Sequence, residues 1–262
     1  MPTTIDLQAL AHLARQAAAA IMAIYATDFT VRGKVDNSPV TQADEQAEAI
    51  ILAGLARIAP DIPVVAEESV AAGRTPDVSG GRFWLVDPLD GTKEFISRNG
   101  EFTVNIALID QGRPVAGVVL APAVGGAAGR LFAGAAGAGA WVEDAQGRRA
   151  IRCRTVPAEG LTVVASRSHG DAAALDAFLA GRRVAQLANA GSSLKLCLIA
   201  EGAADLYPRH GRTMEWDIAA GHAVLAAAGG EVWRIDGSAP LAYGKPGFEN
   251  PHFYAAGPGV TP

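Results

Sequence analysis

Apolar side chains recur every three or four residues in two segments near the start of the chain. Residues 5–26 carry such a stripe from Ile5 to Tyr25, which predicts an amphipathic helix. Residues 41–58 carry a second stripe, and Thr41 stands where a helix N-cap is expected. The sequence therefore predicts two helices before the first strand.

Runs of apolar and β-branched residues follow, in lengths typical of strands. The turn-forming sequence DQGR separates two of them and predicts a β-hairpin. The Gly- and Ala-rich segment 122–140 suits either a linker or a second hairpin, and the strand-like sequence beyond it favours the hairpin. The strands predicted here are residues 62–66, 82–86, 102–109 and 114–121.

Strands alternate with helices in the rest of the chain. This alternation predicts an α/β second half, residues 158–262, after an α+β first half, residues 1–157. The predicted strands are residues 161–166, 183–188, 204–209 and 231–235. The predicted helices are residues 171–181, 192–202 and 216–230.

Composition narrows the classes of function. The 262 residues are 19% charged with a formal net charge of −5, so no nucleic-acid polymer is expected as a partner. Two cysteines, Cys153 and Cys197, are too few for a disulfide framework and favour a reduced, cytoplasmic setting. No apolar stretch of about 18 residues occurs, so we expect no transmembrane helix.

Two aspartates end the apolar run in WLVDPLDGTKEF, residues 84–95. Asp87 and Asp90 would meet in one small volume, where like charges repel and burial adds to the cost. A divalent metal ion removes this conflict, and oxygen ligands suit Mg²⁺ or Mn²⁺ better than zinc. The carbonyl of Leu89 can serve as a further ligand. The alternative is an Asx-type turn, in which the aspartates only shape the chain.

Further candidate residues lie on either side of this pair. Gly91 and Thr92 are expected to open the next helix, whose free amides attract phosphate. Glu67 and Glu68 follow the strand predicted at 62–66, although two adjacent glutamates are more often a solvated loop pair. Asp217 begins an Ala-rich helix, where an acid can simply interact with the helix dipole.

The order EE, DPLDGT and WDIAAGHAVLAAAGG resembles the inositol monophosphatase superfamily of Mg²⁺-dependent, lithium-sensitive phosphatases. Further segments resemble its bacterial 3′(2′),5′-bisphosphate nucleotidase branch, and the resemblance spans residues 35–235. These segments are SPVTQAD (38–44), residues 84–110, SRSH (166–169), GSSLKLCLIAEG (191–202) and LYPR (206–209). The resemblance implies an α+β fold of layered α-β-α-β-α type. It also implies two or three Mg²⁺ ions, with Mn²⁺ as an alternative, and inhibition by Li⁺ and Ca²⁺.

The resemblance also implies roles for individual residues. Asp87 would bridge two metal ions, and Asp44 with Thr92 would activate water. The implied metal ligands are Glu67, Asp87, the Leu89 carbonyl, Asp90 and Asp217. The implied substrate contacts are Gly91, Thr92, His169, Ser192, Lys195, Arg209 and Asp217.

Most of these residues also have plainer interpretations. Asp44 could be an ordinary acid in the first turn of a helix, and Ser192 could be a helix N-cap. Lys195 and Arg209 could be ordinary surface charges, and His169 a loop histidine. Glu215 has no assigned role.

The expected activity is hydrolysis of 3′-phosphoadenosine 5′-phosphate to AMP and phosphate. The first alternative is a phosphatase of the same superfamily that acts on inositol monophosphate or a sugar phosphate. The second is a non-catalytic nucleotide or metal sensor, which the intact set of acids disfavours. The resemblance leaves monomer and homodimer open, and it allows peripheral association with the inner membrane.

Overall fold

Two large β-sheets organise the part of the chain that the computed structural model describes, residues 5–27, 31–33, 39–166 and 172–260. The first sheet has seven strands, paired in chain order. They are β3 (Val64–Ala66), β4 (Arg82–Asp90), β5 (Thr103–Asp110), β6 (Arg113–Ala121), β7 (Arg130–Ala135), β8 (Gly139–Asp144) and β9 (Gly147–Ile151). Strand β3 is parallel to β4, and all the other pairs are antiparallel. Two short strands, β1 (Val31–Gly33) and β2 (Pro39–Thr41), form a separate antiparallel pair.

The second sheet has five strands. They are β10 (Leu161–Ser166), β11 (Val184–Ala190), β12 (Leu206–Arg209), β13 (Glu231–Arg234) and β14 (Phe253–Ala256). Their spatial order is β11-β10-β12-β14-β13, with β14 antiparallel to both of its neighbours. The change from one sheet to the other falls between residues 151 and 161. The division into domains 1–157 and 158–262 stays a prediction.

Helices cover both sheets and lie between them. Helices α1 (Leu7–Tyr25) and α2 (Gln42–Ile58) pack on one face of the first sheet. Helices α6 (Leu194–Ala200) and α7 (Glu215–Ala227) lie between the sheets, and α5 (Ala172–Leu179) packs on the far face of the second. Shorter helices are α3 (Glu67–Ala71), α4 (Thr92–Ile96) and a 3₁₀ turn at Pro246–Phe248. The layers are α-β-α-β-α, so the predicted fold class is confirmed.

Successive side chains of β4 point to opposite faces of the sheet, and both faces are covered, which explains its continuous apolar sequence. Trp84 and Val86 face α1 and α2, whereas Phe83 and Leu85 face the helices between the sheets. A strand covered on both faces needs apolar side chains at every position. Helix α1 is long and apolar enough to pass a compositional test for a membrane span, but its apolar stripe is buried against this sheet.

The structure corrects the predicted end of β4. We predicted a strand over residues 82–86, but the strand continues through Asp90. Asp87 pairs with Asn105 and Asp90 pairs with Thr103, so β4 contains one more residue than β5 in this interval. This bulge bends the strand where its acidic residues begin.

The Gly- and Ala-rich segment forms the β7–β8 hairpin, so the linker interpretation is wrong. One of its glycines, Gly134, packs against a helix. Gly117 of β6 and Gly134 of β7 are paired across the sheet, and both lie directly under α7. A Cβ atom on Gly117 would lie 2.6 Å from the carbonyl oxygen of Ala220. The paired glycines therefore form a groove that lets α7 approach the sheet.

Substitution in this groove should destabilise the protein. We expect Gly117→Ala to lower the free energy of unfolding by about 1–3 kcal/mol, because the new methyl group would overlap the backbone of α7. Gly80→Ala is the matched control, since a Cβ atom there meets nothing within 4 Å. Urea unfolding of both variants tests this, and equal midpoints would contradict the tight packing.

Candidate active site

A cavity of about 450 Å³ opens where β4, α4, α6 and α7 meet. Most of the residues singled out in the sequence line it. These are Glu67, Asp87, Leu89, Asp90, Gly91, Thr92, Ser192, Lys195, Arg209 and Asp217. Asp44 is not among the described residues that line the cavity, and His169 lies outside the described residues.

Strand pairing brings the first two acids together. Ala66, the last residue of β3, pairs with Val86 in the parallel neighbour β4. Glu67 and Asp87 follow these two residues, so the register places both acids at the same edge of the sheet. Asp44 lies in the first turn of α2, is 1% exposed, and acts electrostatically on Asp87.

Ser193 connects the remaining two acids. Its backbone N–H donates to Oδ2 of Asp90 at 2.7 Å, and its hydroxyl donates to the backbone carbonyl of Asp217. The Asp217 carboxylate accepts in turn from the backbone N–H of Met214 at 2.8 Å, at the start of α7. A residue between the two sheets therefore links a strand acid to a helix acid.

Burial first, and mutual repulsion second, disfavour the charged forms of the acids in this cluster. Burial, followed by the charges of Glu67, Asp90, Asp217 and Asp44, raises the pKa of Asp87 well above its usual value. Burial raises the pKa of Asp90 to about 6, although the Lys195 charge and the Ser193 N–H both oppose this. Burial and the Asp90 charge also raise the pKa of Asp217.

Within the described chain, no three or more His, Cys, Asp or Glu side chains form a ready-made metal cage. The four acids Glu67, Asp87, Asp90 and Asp217 instead surround a common cavity. They offer only oxygen donors, and their repulsion is of the kind that a bound hard cation relieves. The donor set therefore fits Mg²⁺. The Asx-type interpretation also has support, because the N–H of Leu89 donates to Oδ1 of Asp87 at 3.1 Å.

Gly91 lies close to the backbone of residues 101 and 102. Its φ of +95° places it in the left-handed region, directly before α4 begins at Thr92. A Cβ atom there would approach the Glu101 carbonyl oxygen to 3.3 Å. Glycine suits this position because it adopts a positive φ readily and has no Cβ atom to crowd the Glu101 carbonyl.

Cationic side chains also line the cavity. Lys195, Arg209 and Arg212 together are called its cationic wall. Lys195 is 5% exposed, and its Nζ donates to the carbonyls of Ser192 at 2.6 Å and Ala190 at 3.3 Å. An ammonium group has three N–H donors, so these bonds leave one for a ligand. Burial lowers the pKa of Lys195 to about 8, despite the opposing charge of Asp90. Arg209 and Arg212 line the same cavity.

Several residues of the site escaped the sequence analysis. Ser193 was overlooked in favour of Ser192, although the double serine in GSSLK was a signal. Ser192 is not the N-cap of α6, a position that Ser193 occupies. Ser192 instead has a φ of +42°, and its hydroxyl accepts from the Thr103 hydroxyl at 3.2 Å.

Glu215 has a structural role. It is fully buried and is not among the described residues that line the cavity. Its carboxylate accepts from the N–H groups of Gly244 and Lys245, and it pairs with the Lys245 ammonium at 2.6 Å. Glu215 therefore fastens the 244–245 segment to the start of α7 and does not reach a ligand in this cavity.

Comparison with known proteins gives this site a context. The profile of the inositol monophosphatase family matches residues 6–257. The chain belongs to the inositol monophosphatase family. Among the proteins that it resembles is the 3′(2′),5′-bisphosphate nucleotidase CysQ of Shigella flexneri, at 50% identity over 94% of this chain and 98% of that protein. CysQ of Escherichia coli strain K12 is 49% identical over the same shares of the two chains.

A solved structure agrees with these sequence matches. The crystal structure of CysQ from Bacteroides thetaiotaomicron, described as a bacterial member of the inositol monophosphatase family, superposes with a TM-score of 0.78. The two sequences are 37% identical, and the match covers 95% of this chain and 96% of that chain. The predicted superfamily and its nucleotidase branch are therefore confirmed as this chain's relatives.

The raised acid pKa values predict how pH affects stability. The folded-state pKa of Asp90 is raised from 3.8 to about 6, so ionisation of Asp90 destabilises the metal-free fold as pH rises through that interval. We expect Asp90→Asn to raise the melting temperature of EDTA-treated protein at about pH 7.5, where the wild-type carboxylate is charged, and to have much less effect at about pH 4.

The same variant should respond less to added Mg²⁺ at about pH 7.5, because it has lost a charged oxygen donor. Thermal denaturation with EDTA and with Mg²⁺ measures both effects. The exposed Asp61→Asn is the matched control. A metal-free Asp90→Asn protein that is less stable than the wild type at about pH 7.5 would contradict the destabilisation assigned to the buried Asp90 charge.

Proposed function

We propose that this chain is an Mg²⁺-dependent phosphatase that hydrolyses 3′-phosphoadenosine 5′-phosphate to AMP and phosphate. One observation carries the proposal: a single cavity combines the carboxylates of Glu67, Asp87, Asp90, Glu94 and Asp217 with Lys195 and Arg209. A bisphosphate needs both, since one phosphate reacts and the other is held. Relatives of nearly the same length, named as 3′(2′),5′-bisphosphate nucleotidases, support this substrate.

The acidic wall of the cavity, formed by Glu67, Asp87, Asp90 and Asp217, would hold the metal ions. We assign Glu67, Asp87, Asp90, Asp217 and the Leu89 carbonyl as ligands for two or three Mg²⁺ ions. Glu67, Asp90 and Asp217 all act electrostatically on Asp87, so ions held by these acids would also offset the Asp87 charge. When bound, Mg²⁺ would supply positive charge to the transferring phosphoryl group and lower the pKa of water.

Asp44 and Thr92 would prepare the attacking water. We propose that the Thr92 hydroxyl orients the water and takes its proton, while the Thr92 hydroxyl proton passes to the buried Asp44 carboxylate. Thr92 lines the cavity, and Asp44 is buried near Asp87. The water oxygen then forms the new P–O bond as the bond to the 3′ oxygen of the ribose breaks, and the 3′ oxygen takes a proton from a second water to leave as the ribose hydroxyl of AMP. The N–H groups of Gly91 and Thr92, at the start of α4, would hold the phosphoryl oxygens.

The cationic wall would bind the phosphate that does not react. Lys195 can direct its remaining N–H at the 5′-phosphate, and Arg209 can offer two parallel donors to the same group. Ser192, with its hydroxyl beside that of Thr103, and Asp217 complete the proposed substrate contacts.

We also propose a cytoplasmic location. Cys153 and Cys197 are both free thiols in the described structure, as expected in a reducing compartment.

The second phosphate gives the sharpest test of the substrate. We expect Arg209→Ala to lower kcat/KM for 3′-phosphoadenosine 5′-phosphate by about 10- to 100-fold, because a charged hydrogen bond is lost. Adenosine 3′-monophosphate has the same scissile group without the 5′-phosphate, so its hydrolysis should change little. Phosphate release with Mg²⁺ and with EDTA measures both activities.

Lys195→Ala should lower hydrolysis of the bisphosphate to a similar extent, with some loss on adenosine 3′-monophosphate as well, because the Lys195 charge also acts on Asp90. Arg57→Ala, on the surface of α2, serves as the control. Equal losses on the two nucleotides would contradict recognition of the 5′-phosphate. If inositol 1-phosphate is hydrolysed faster than either nucleotide, the proposed metal site would stand, but the proposed substrate would be wrong.

A further inference from the structure

Glu48 is a buried acid that the proposed chemistry does not use. It is 4% exposed and is not among the described residues that line the cavity. It follows Asp44 by four residues on α2, so the two acids lie on the same face of the helix. A buried carboxylate is costly unless hydrogen bonds compensate it, which raises the question of what Glu48 holds.

Both oxygens of Glu48 are bonded to the first turn of α3. Oε2 accepts from the backbone N–H of Glu68 at 2.8 Å, and Oε1 accepts from the Ser69 hydroxyl at 2.6 Å. The first N–H groups of a helix have no partner within the helix, and Ala66, at the N-cap position, has only a methyl side chain. Glu48 therefore supplies from α2 the cap that α3 cannot supply itself, and its negative charge suits a helix start.

These bonds surround Glu67. The residue before it, Ala66, is fixed by its pairing with Val86 in β4. The two residues after it, Glu68 and Ser69, are fixed by Glu48. The backbone of Glu67 is thus held on both sides, which limits the directions that its side chain can take.

We infer that Glu48 is a positioning residue, which orients Glu67 toward the cavity and so raises the affinity of the site for Mg²⁺. The inference rests on the proposed metal centre. It assigns α2 two tasks one turn apart: Asp44 acts beside Asp87, and Glu48 anchors the turn that carries Glu67. Residues that orient a metal ligand in this way typically change metal affinity about 10- to 100-fold when they are removed.

The test measures Mg²⁺ binding directly. Isothermal titration of the metal-free protein with Mg²⁺ should give a dissociation constant about 10-fold higher for Glu48→Ala than for the wild type. Glu48→Gln should recover much of the affinity, because its amide oxygen can accept from Glu68 and its NH₂ group can donate to the Ser69 hydroxyl. Glu45→Ala, an exposed acid on the same helix, is the matched control and should bind as the wild type does.

Kinetics separate positioning from a general loss of structure. For Glu48→Ala, the Mg²⁺ concentration at half-maximal activity should rise, while kcat at saturating Mg²⁺ and KM for the nucleotide stay near their wild-type values. Ser69→Ala removes only one of the two bonds and should give a smaller rise of a few fold, which keeps the test available if Glu48→Ala does not fold.

Two results would overturn the inference in distinguishable ways. A Glu48→Ala protein with a lower melting temperature but an unchanged Mg²⁺ dissociation constant would show that Glu48 only stabilises the fold. Wild-type protein that binds no Mg²⁺ would remove the metal centre itself, and the inference with it.

Discussion

Repulsion among buried carboxylates is the constraint on which the rest of the structure depends. Strand β4 is apolar because both of its faces are covered, and this same strand carries Asp87 into the interior, 2% exposed, with other acids around it. Such a cluster persists without its cation only if protons remain on some carboxylates or if the surrounding fold resists their separation. The raised pKa values of Asp87, Asp90 and Asp217 express the first condition. The packed helices and sheets on either side of the cluster supply the second condition.

The acids come from separate elements, so their approach depends on packing far from the cavity. Pairing of β3 with β4 sets Glu67 against Asp87, and the glycine groove under α7 sets how closely the helix bearing Asp217 approaches the first sheet. Ser193 then ties Asp90 to Asp217 across the space between the sheets. Each contact is ordinary, but together they hold like charges at one place. Weakening any of them should therefore affect both stability and metal affinity.

Periodicity predicted the helices, most of the strands and the acids at the strand ends, because each depends on local sequence. The bulge between Asp87 and Asp90 was missed, since it depends on how β4 pairs with β5. Short elements such as α3 and β14 gave too few residues for a periodic signal. Ser193 and Glu48 were missed for a further reason. Their partners lie 103 and about 20 residues away in sequence, so only the folded chain shows what they bond to.

The acidic and the cationic residues of the cavity have different proposed roles. The acidic residues serve the reaction, and the cationic residues select the substrate. The acidic wall resembles what any metal-dependent phosphatase of the family needs, and it would make the local field positive only with Mg²⁺ bound. Lys195 is held in the cavity by two backbone carbonyls of the segment that also supplies Ser193 to Asp90. A shift of this segment would therefore change the proposed metal site and the proposed 5′-phosphate contact together. Family membership consequently says more about the reaction than about the substrate, and changes in the 190–195 segment are where substrate preference within this fold should arise.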